Sequence, residues 1–141
     1  MKNHHKTSNE LLGFKLRALY PELARDLTNV QILSDCSLLP EIYNRYFRNY
    51  PENKSERIKG SYLFVAVILK LYDPDMLQGW KRNMIHGLRN PIAELLEVSP
   101  NAISNQIITV QNYMLIYQKF KDRVEVLSKE IAEIYSKKGL V

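Results

Sequence analysis

SYLFVAVILKLYD, residues 61–73, decides the fold class. Its β-branched content would suit a strand, but no other stretch offers a convincing strand partner, and a lone strand leaves its backbone N–H and C=O groups unpaired. A helix pairs those groups within itself, so this segment is predicted to be the buried central helix of an all-α fold. Asp73, Pro74 and Asp75 break it.

Upstream, PENKSERIKG (51–60) reads as a polar loop, and SLLPEIYNRYFRNY (37–50) as a helix that Pro51 ends. Ser37 is the expected N-cap, Pro40 falls in the tolerant first turn, and Leu39, Ile42, Tyr46 and Phe47 share one side. The spacing of Tyr43, Tyr46, Phe47 and Tyr50 favours core or interface packing over a platform for stacking bases. Thr7 and Glu10 have capping-box spacing before Leu12, Leu16 and Leu19, which predicts a helix over 8–20 that ends at Pro21. Leu23, Leu27, Val30 and Leu33 suggest short helical pieces over 22–36. Residues 1–7 read as a disordered tail and 8–141 as a single helical domain.

Downstream, QGWKRNMIHGLRN (78–90) carries Lys81, Arg82 and Arg89 and no acidic residue; Trp80 is expected as a half-buried anchor and His86 at the surface or at a cap. From Ile103 the apolar positions Ile107, Val110, Met114, Tyr117, Phe120, Val124, Leu127, Ile131 and Ile134 follow at steps of three or four. The stretch is one long helix or a pair broken near Lys121 and Asp122, where Asp122 and Glu125 repeat capping-box spacing, and Gly139 is its expected stop. Its apolar stripe belongs either to the core or to a dimer seam.

The 141 residues suit one compact domain, and 45% hydrophobic with 25% charged residues argues against a disordered or fibrous chain. Twenty Lys and Arg against fifteen Asp and Glu give a net charge of +5, which allows an anionic partner without demonstrating one. Cys36 is the sole cysteine, so no intramolecular disulfide forms and a cytoplasmic location is expected. The polar start MKNHHKTSNE has no signal-peptide pattern, and the apolar run 62–69 is far below the ~20 residues of a spanning helix, so no membrane partner is expected. No metal-ligand spacing, phosphate loop or activated nucleophile is visible, so neither catalysis nor a cofactor is called for.

The functional signal lies in NPIAELLEVSPNAISNQI, residues 90–107. Asn90 is the expected cap of a short helix with Pro91 at its first position, and Ile92, Ala93 and Leu96 form its inward face. Glu97 and Val98 make a bend; Ser99 then caps a second helix that begins at Pro100 and turns Ala102, Ile103 and Ile107 inward. This window resembles the helix-turn-helix of bacterial DNA-binding proteins, whose pattern is Ile-Ala, two variable residues, Leu-Gly-Val-Ser, two variable residues, then Thr-Val-Ser. Here Ile92, Ala93, Leu96, Glu97, Val98, Ser99, Ala102, Ile103 and Ser104 fill those slots. Residues 87–107 also look like the module of LuxR-type response regulators, one residue shorter between Asn90 and Ile92. Glu97 departs from the pattern, because Gly is usual there and a non-Gly residue at positive φ is strained.

The resemblance implies a helix-turn-helix over 90–108 that binds duplex DNA by site occupancy, as a bacterial or phage transcriptional regulator does. Carried over slot by slot, it assigns the groove-facing positions to Ser99, Pro100, Asn101, Ser104, Asn105 and Ile108. Asn101 and Asn105 lie one turn apart, and an Asn amide both donates to and accepts from adenine. Arg89 and Asn90 would contact phosphate, with Lys81 and Arg82 adding to the positive surface. If the C-terminal stripe pairs two protomers, their reading helices meet half-sites about 34 Å apart. The second helix carries no Lys or Arg from Ser99 through Gln118, and such helix pairs also occur as plain structure. The alternative function is therefore a helical adaptor that binds another protein through the aromatic segment and the C-terminal helix.

Overall fold

The structure, a computed structural model, describes residues 31–51, 55, 58–81 and 83–137. The expected tail over 1–7, the helix over 8–20, the helical pieces up to Val30, Arg82 and the stop at Gly139 lie outside the described residues. Among those described there are six α-helices and no strand, so the fold is all-α. They are α1 (Leu39–Tyr46), α2 (Gly60–Tyr72), α3 (Pro74–Leu77), α4 (Arg89–Leu96), α5 (Pro100–Ile116) and α6 (Gln118–Lys137), with a 3-10 turn over Cys36–Leu38 before α1.

The decisive segment is α2, and every residue from Leu63 to Leu69 is fully buried. A helix apolar on all sides has to be wrapped on all sides, and α3, α5 and α6 all pack on it. Phe64 takes the edge of Tyr43 with ring centroids 4.9 Å apart, and Phe47 lies 5.2 Å from the same ring. The aromatic segment therefore packs into the core as expected, with Phe47 buried and Tyr43, Tyr46 and Tyr50 half-buried against it.

Several expectations need correction. Residues 31–35 are not helical: the N–H groups of Ile32 and Leu33 both donate to the Leu71 carbonyl at 2.9 Å, which satisfies an orphan carbonyl at the end of α2 and buries Leu33 completely. Ser37 is not the cap of α1: it lies in the 3-10 turn that Asp35 caps, where the Asp35 carboxylate accepts from the Ser37 N–H at 2.9 Å and the Ser37 hydroxyl at 2.6 Å, and α1 itself follows Leu38 with no side-chain cap. The C-terminal stretch is a pair of helices, broken at Tyr117 instead of near Lys121 and Asp122. Tyr117 leaves the helical region (φ −110°, ψ 102°), and the expected cap Asp122 is inside α6, accepting from the Gln118 side chain at 2.8 Å. The break stacks Tyr113 edge-on against Tyr62, Tyr117 and Phe120.

The long apolar stripe is filled within one chain. Val110, Phe120, Val124, Ile131 and Tyr135 are buried and Leu127 packs against the same core, where α5 and α6 meet α2. The positions considered for a dimer seam are thus occupied internally.

The buried hydroxyls of the core differ in how they are satisfied. The Tyr135 hydroxyl donates to Glu41 Oε2 at 2.6 Å, and burial first, then Glu41, pushes its pKa up to about 12. Tyr72 donates to the Asp35 carbonyl at 2.8 Å, and burial raises its phenol further still. The Ser128 hydroxyl, by contrast, is buried on α6 with no hydrogen-bond partner among the described residues.

Both features carry expectations. A phenol whose pKa is raised on folding contributes stability that is complete below its unfolded pKa near 10 and lost above it. Urea stability should therefore hold level up to about pH 10 and then fall by about 1.4 kcal/mol per pH unit for each phenol kept protonated only by the fold. Tyr135→Phe should flatten the decline between pH 10 and 12, and an unchanged slope would count against the pairing with Glu41. Ser128→Ala removes an unpaired hydroxyl and improves helix propensity, so it should raise stability by about 1 kcal/mol in urea unfolding.

Candidate nucleic-acid interface

Residues 97–99 join α4 and α5, and their backbone follows from helix-end chemistry. Glu97 adopts the left-handed region (φ 58°, ψ 45°), the sole non-glycine residue at positive φ among those described. The Val98 N–H then donates to the Ala93 carbonyl at 3.0 Å and the Glu97 N–H to the Glu94 carbonyl at 3.2 Å, the pair of bonds that closes a Schellman turn. Ser99 returns to extended backbone and its hydroxyl accepts from the Ala102 N–H at 3.2 Å, with Pro100 at the first helical position. Ile92, Ala93, Ile103 and Ile107 are all buried, and the small Ala93 leaves room for the two helices to approach.

The start of α4 lies two residues earlier than expected. Arg89 is its first residue, and the preceding position is the buried Leu88, so Asn90 is inside the helix and caps nothing. Burial of the Leu88 side chain fixes the entry of the chain in place of a polar cap.

The expected contact residues fall into separate groups. Ser99, Pro100, Asn101, Asn105 and Ile108 are exposed on α5 or at its start, and Ser104 is partly exposed. Asn101, Asn105 and Ile108 follow helical spacing and so share one face, opposite the buried Ile103, Ile107 and Val110. Arg89 and Asn90 are exposed at the start of α4, and Arg89 Nη1 donates to Ser104 Oγ at 2.8 Å, which links the first helix to the second. Lys81 is differently placed. Its ammonium lies 2.9 Å from Asp73 Oδ1, whose side chain is only 3% exposed, so this cation neutralises a buried carboxylate.

Asp73 is the residue that sequence reasoning passed over as a helix breaker. It separates α2 from α3, and while Oδ1 faces Lys81, Oδ2 accepts from the Ile85 N–H at 2.8 Å. One carboxylate thereby holds the loop over 79–88 at two points. Gly79 (φ 75°) and Gly87 (φ 89°) supply the left-handed turns at its ends. The Gln111 amide of α5 donates to the Met76 carbonyl at 2.7 Å and ties the same region to the second helix.

Between this loop and the middle of α5 is a groove of about 700 Å3. Lys81, Arg89, Asn90, Ser104 and Ile108 line it, together with His86, which is exposed at the surface as expected. Ser99, Pro100, Asn101 and Asn105 lie outside it on the exposed face. No signal in the sequence could have disclosed the groove, because the loop that walls it is shaped by Asp73 from the far side of the α2–α3 junction.

The left-handed Glu97 should be replaceable. Glu97→Gly removes the Cβ penalty of roughly 1–2 kcal/mol, partly offset by the entropy of glycine in the unfolded chain, for an expected net gain of about 1 kcal/mol. A urea midpoint that rises at unchanged m-value checks this; a fall would mean that Glu97 contributes contacts beyond its backbone. Comparisons with known proteins provide no further assignment: no protein-family model matches the chain, and no curated protein or solved structure matches it either.

Proposed function

We propose that the chain binds duplex DNA sequence-specifically, inserting the start of α5 into the major groove and acting by site occupancy without catalysis. The observation that carries this reading is the free face of α5. Asn101 and Asn105 stand exposed one turn apart, just beyond a Ser-capped helix start, while the opposite face is anchored by Ile103 and Ile107. Paired amides at that spacing suit the donor and acceptor pattern of adenine, and Ile108 one turn further suits a thymine methyl. Arg89 and Asn90, exposed at the start of α4, suit phosphate. From Pro100 to Ile116 the helix carries no charged side chain, so affinity would rest on few phosphate contacts and discrimination on the amides.

A second reading, the helical adaptor, draws on a different observation. The aromatic segment and the apolar stripe proposed for a partner are packed internally, but Leu115 is 85% and Ile116 66% exposed at the end of α5. Apolar side chains that exposed at a helix break suit a protein contact.

Enrichment of a random duplex library on the full chain separates the two. The DNA reading expects a defined motif, with log K falling by about 0.9 per phosphate contact for each tenfold rise in salt. Asn105→Ala should then cost about 1–3 kcal/mol on the selected site and little on random DNA, whereas Leu115→Arg should change neither. Absence of any enriched motif, or a preference untouched by both Asn101→Ala and Asn105→Ala, would sink this assignment.

A further inference from the structure

We propose that the groove between the 79–88 loop and α5 is a binding site for a small organic anion, a carboxylate attached to an apolar body, with Arg89 as the carboxylate's partner. At about 700 Å3 the groove is within the range that holds small ligands. Its lining divides chemically. Among the described residues, the charged and titratable side chains on it are Lys81, Arg89 and His86, and no Asp or Glu lines it. Because Lys81 is already balanced by Asp73, Arg89 is the cation left to attract an anion among the described residues. Its guanidinium is steadied by the hydrogen bond from Nη1 to Ser104, and a planar fork with five donors suits a carboxylate better than a point charge does.

The remaining wall is partly apolar, set between the polar side chains of Asn83, Asn90 and Gln111. Met76 and Ile107 are nearly fully buried beneath the groove, and Met84 and the 58% exposed Ile108 flank it. A bare inorganic anion would leave that surface in water, and an organic cation would face Arg89. An anion with a hydrocarbon body satisfies both halves, and thioether side chains adapt readily to such a body. The loop that forms the outer wall is pinned by Asp73, so the site is held ready before a ligand arrives. Binding of this kind needs no DNA, so failure of the duplex selection leaves it standing and its own failure leaves the DNA reading standing.

The experiment uses the full chain with labelled methionine methyl groups, titrated without DNA with octanoate, octylamine and inorganic phosphate in parallel. Met76 and Met84 report on the groove, and Met114, packed against the core away from its lining, is the internal control. Octanoate should shift the Met76 and Met84 signals saturably and leave Met114 in place, while octylamine and phosphate should shift none of them. Arg89→Gln and Ile108→Glu should each weaken octanoate binding by about tenfold or more. The proposal is overturned by the absence of a saturable shift with octanoate, by equal shifts with octylamine or with phosphate, or by undiminished binding in a folded Arg89→Gln protein. The contrast between octanoate and octylamine on the unaltered chain decides the matter even where a variant fails to fold.

Discussion

A helix with no polar side has no place at a protein surface, and α2 imposes that constraint on everything described around it. With Leu63 through Leu69 removed from solvent, each side of the helix requires a neighbour. α3, α5 and α6 meet that requirement directly, and α1 does so through the contacts of Tyr43 and Phe47 with Phe64. Since burial of one large aliphatic side chain contributes roughly 1.5–3 kcal/mol, the run is a concentrated source of stability among the described residues. It also explains why the C-terminal stripe of Phe120, Val124 and Ile131 is filled without a second protomer.

At the end of that helix the constraint changes from apolar to electrostatic. Asp73 is buried and charged, a costly arrangement unless both carboxylate oxygens are engaged, and they are, by Lys81 and by the Ile85 amide. The position of the 79–88 loop is thus tied to the core helix rather than left to the loop's own composition. Arg89 and Asn90 follow immediately on the chain, so the start of α4 is registered to the same point. The pin, the groove and the face proposed to read DNA form one connected arrangement, in which Gln111 and Arg89 supply the links to α5.

The two interruptions in the second half of the chain arise from different causes. At Glu97 the turn is closed by backbone bonds to Ala93 and Glu94, and a residue with a Cβ is held in a conformation that glycine adopts more easily. At Tyr117 the helix breaks with no glycine or proline nearby, and the change of direction is accompanied by edge-on packing of Tyr113 with Tyr62, Tyr117 and Phe120. The first is a local event written in a short window of residues. The second depends on aromatic partners on three helices.

That difference marks what the chain determines by itself. The all-α class was legible because residues 61–73 have no strand partner, and the α4–α5 turn because Ser99, Pro100 and the inward Ile-Ala and Ile-Ile positions are local signals read at helical period. Exposure of Asn101 and Asn105 followed from the same period, since fixing Ile103 and Ile107 inward turns the amides outward. The break at Tyr117 and the placement of Lys81 were not legible, because each rests on a competition that local spacing cannot resolve. Asp122 offered a plausible cap that aromatic packing overruled, and Lys81 in a basic stretch looked available until the fold brought a buried carboxylate within 2.9 Å. Periodicity and capping act over a few residues and survive in the linear chain; the pairing of charges and the choice among helix breaks depend on which distant side chains share a desolvated space, and only the tertiary structure decides that.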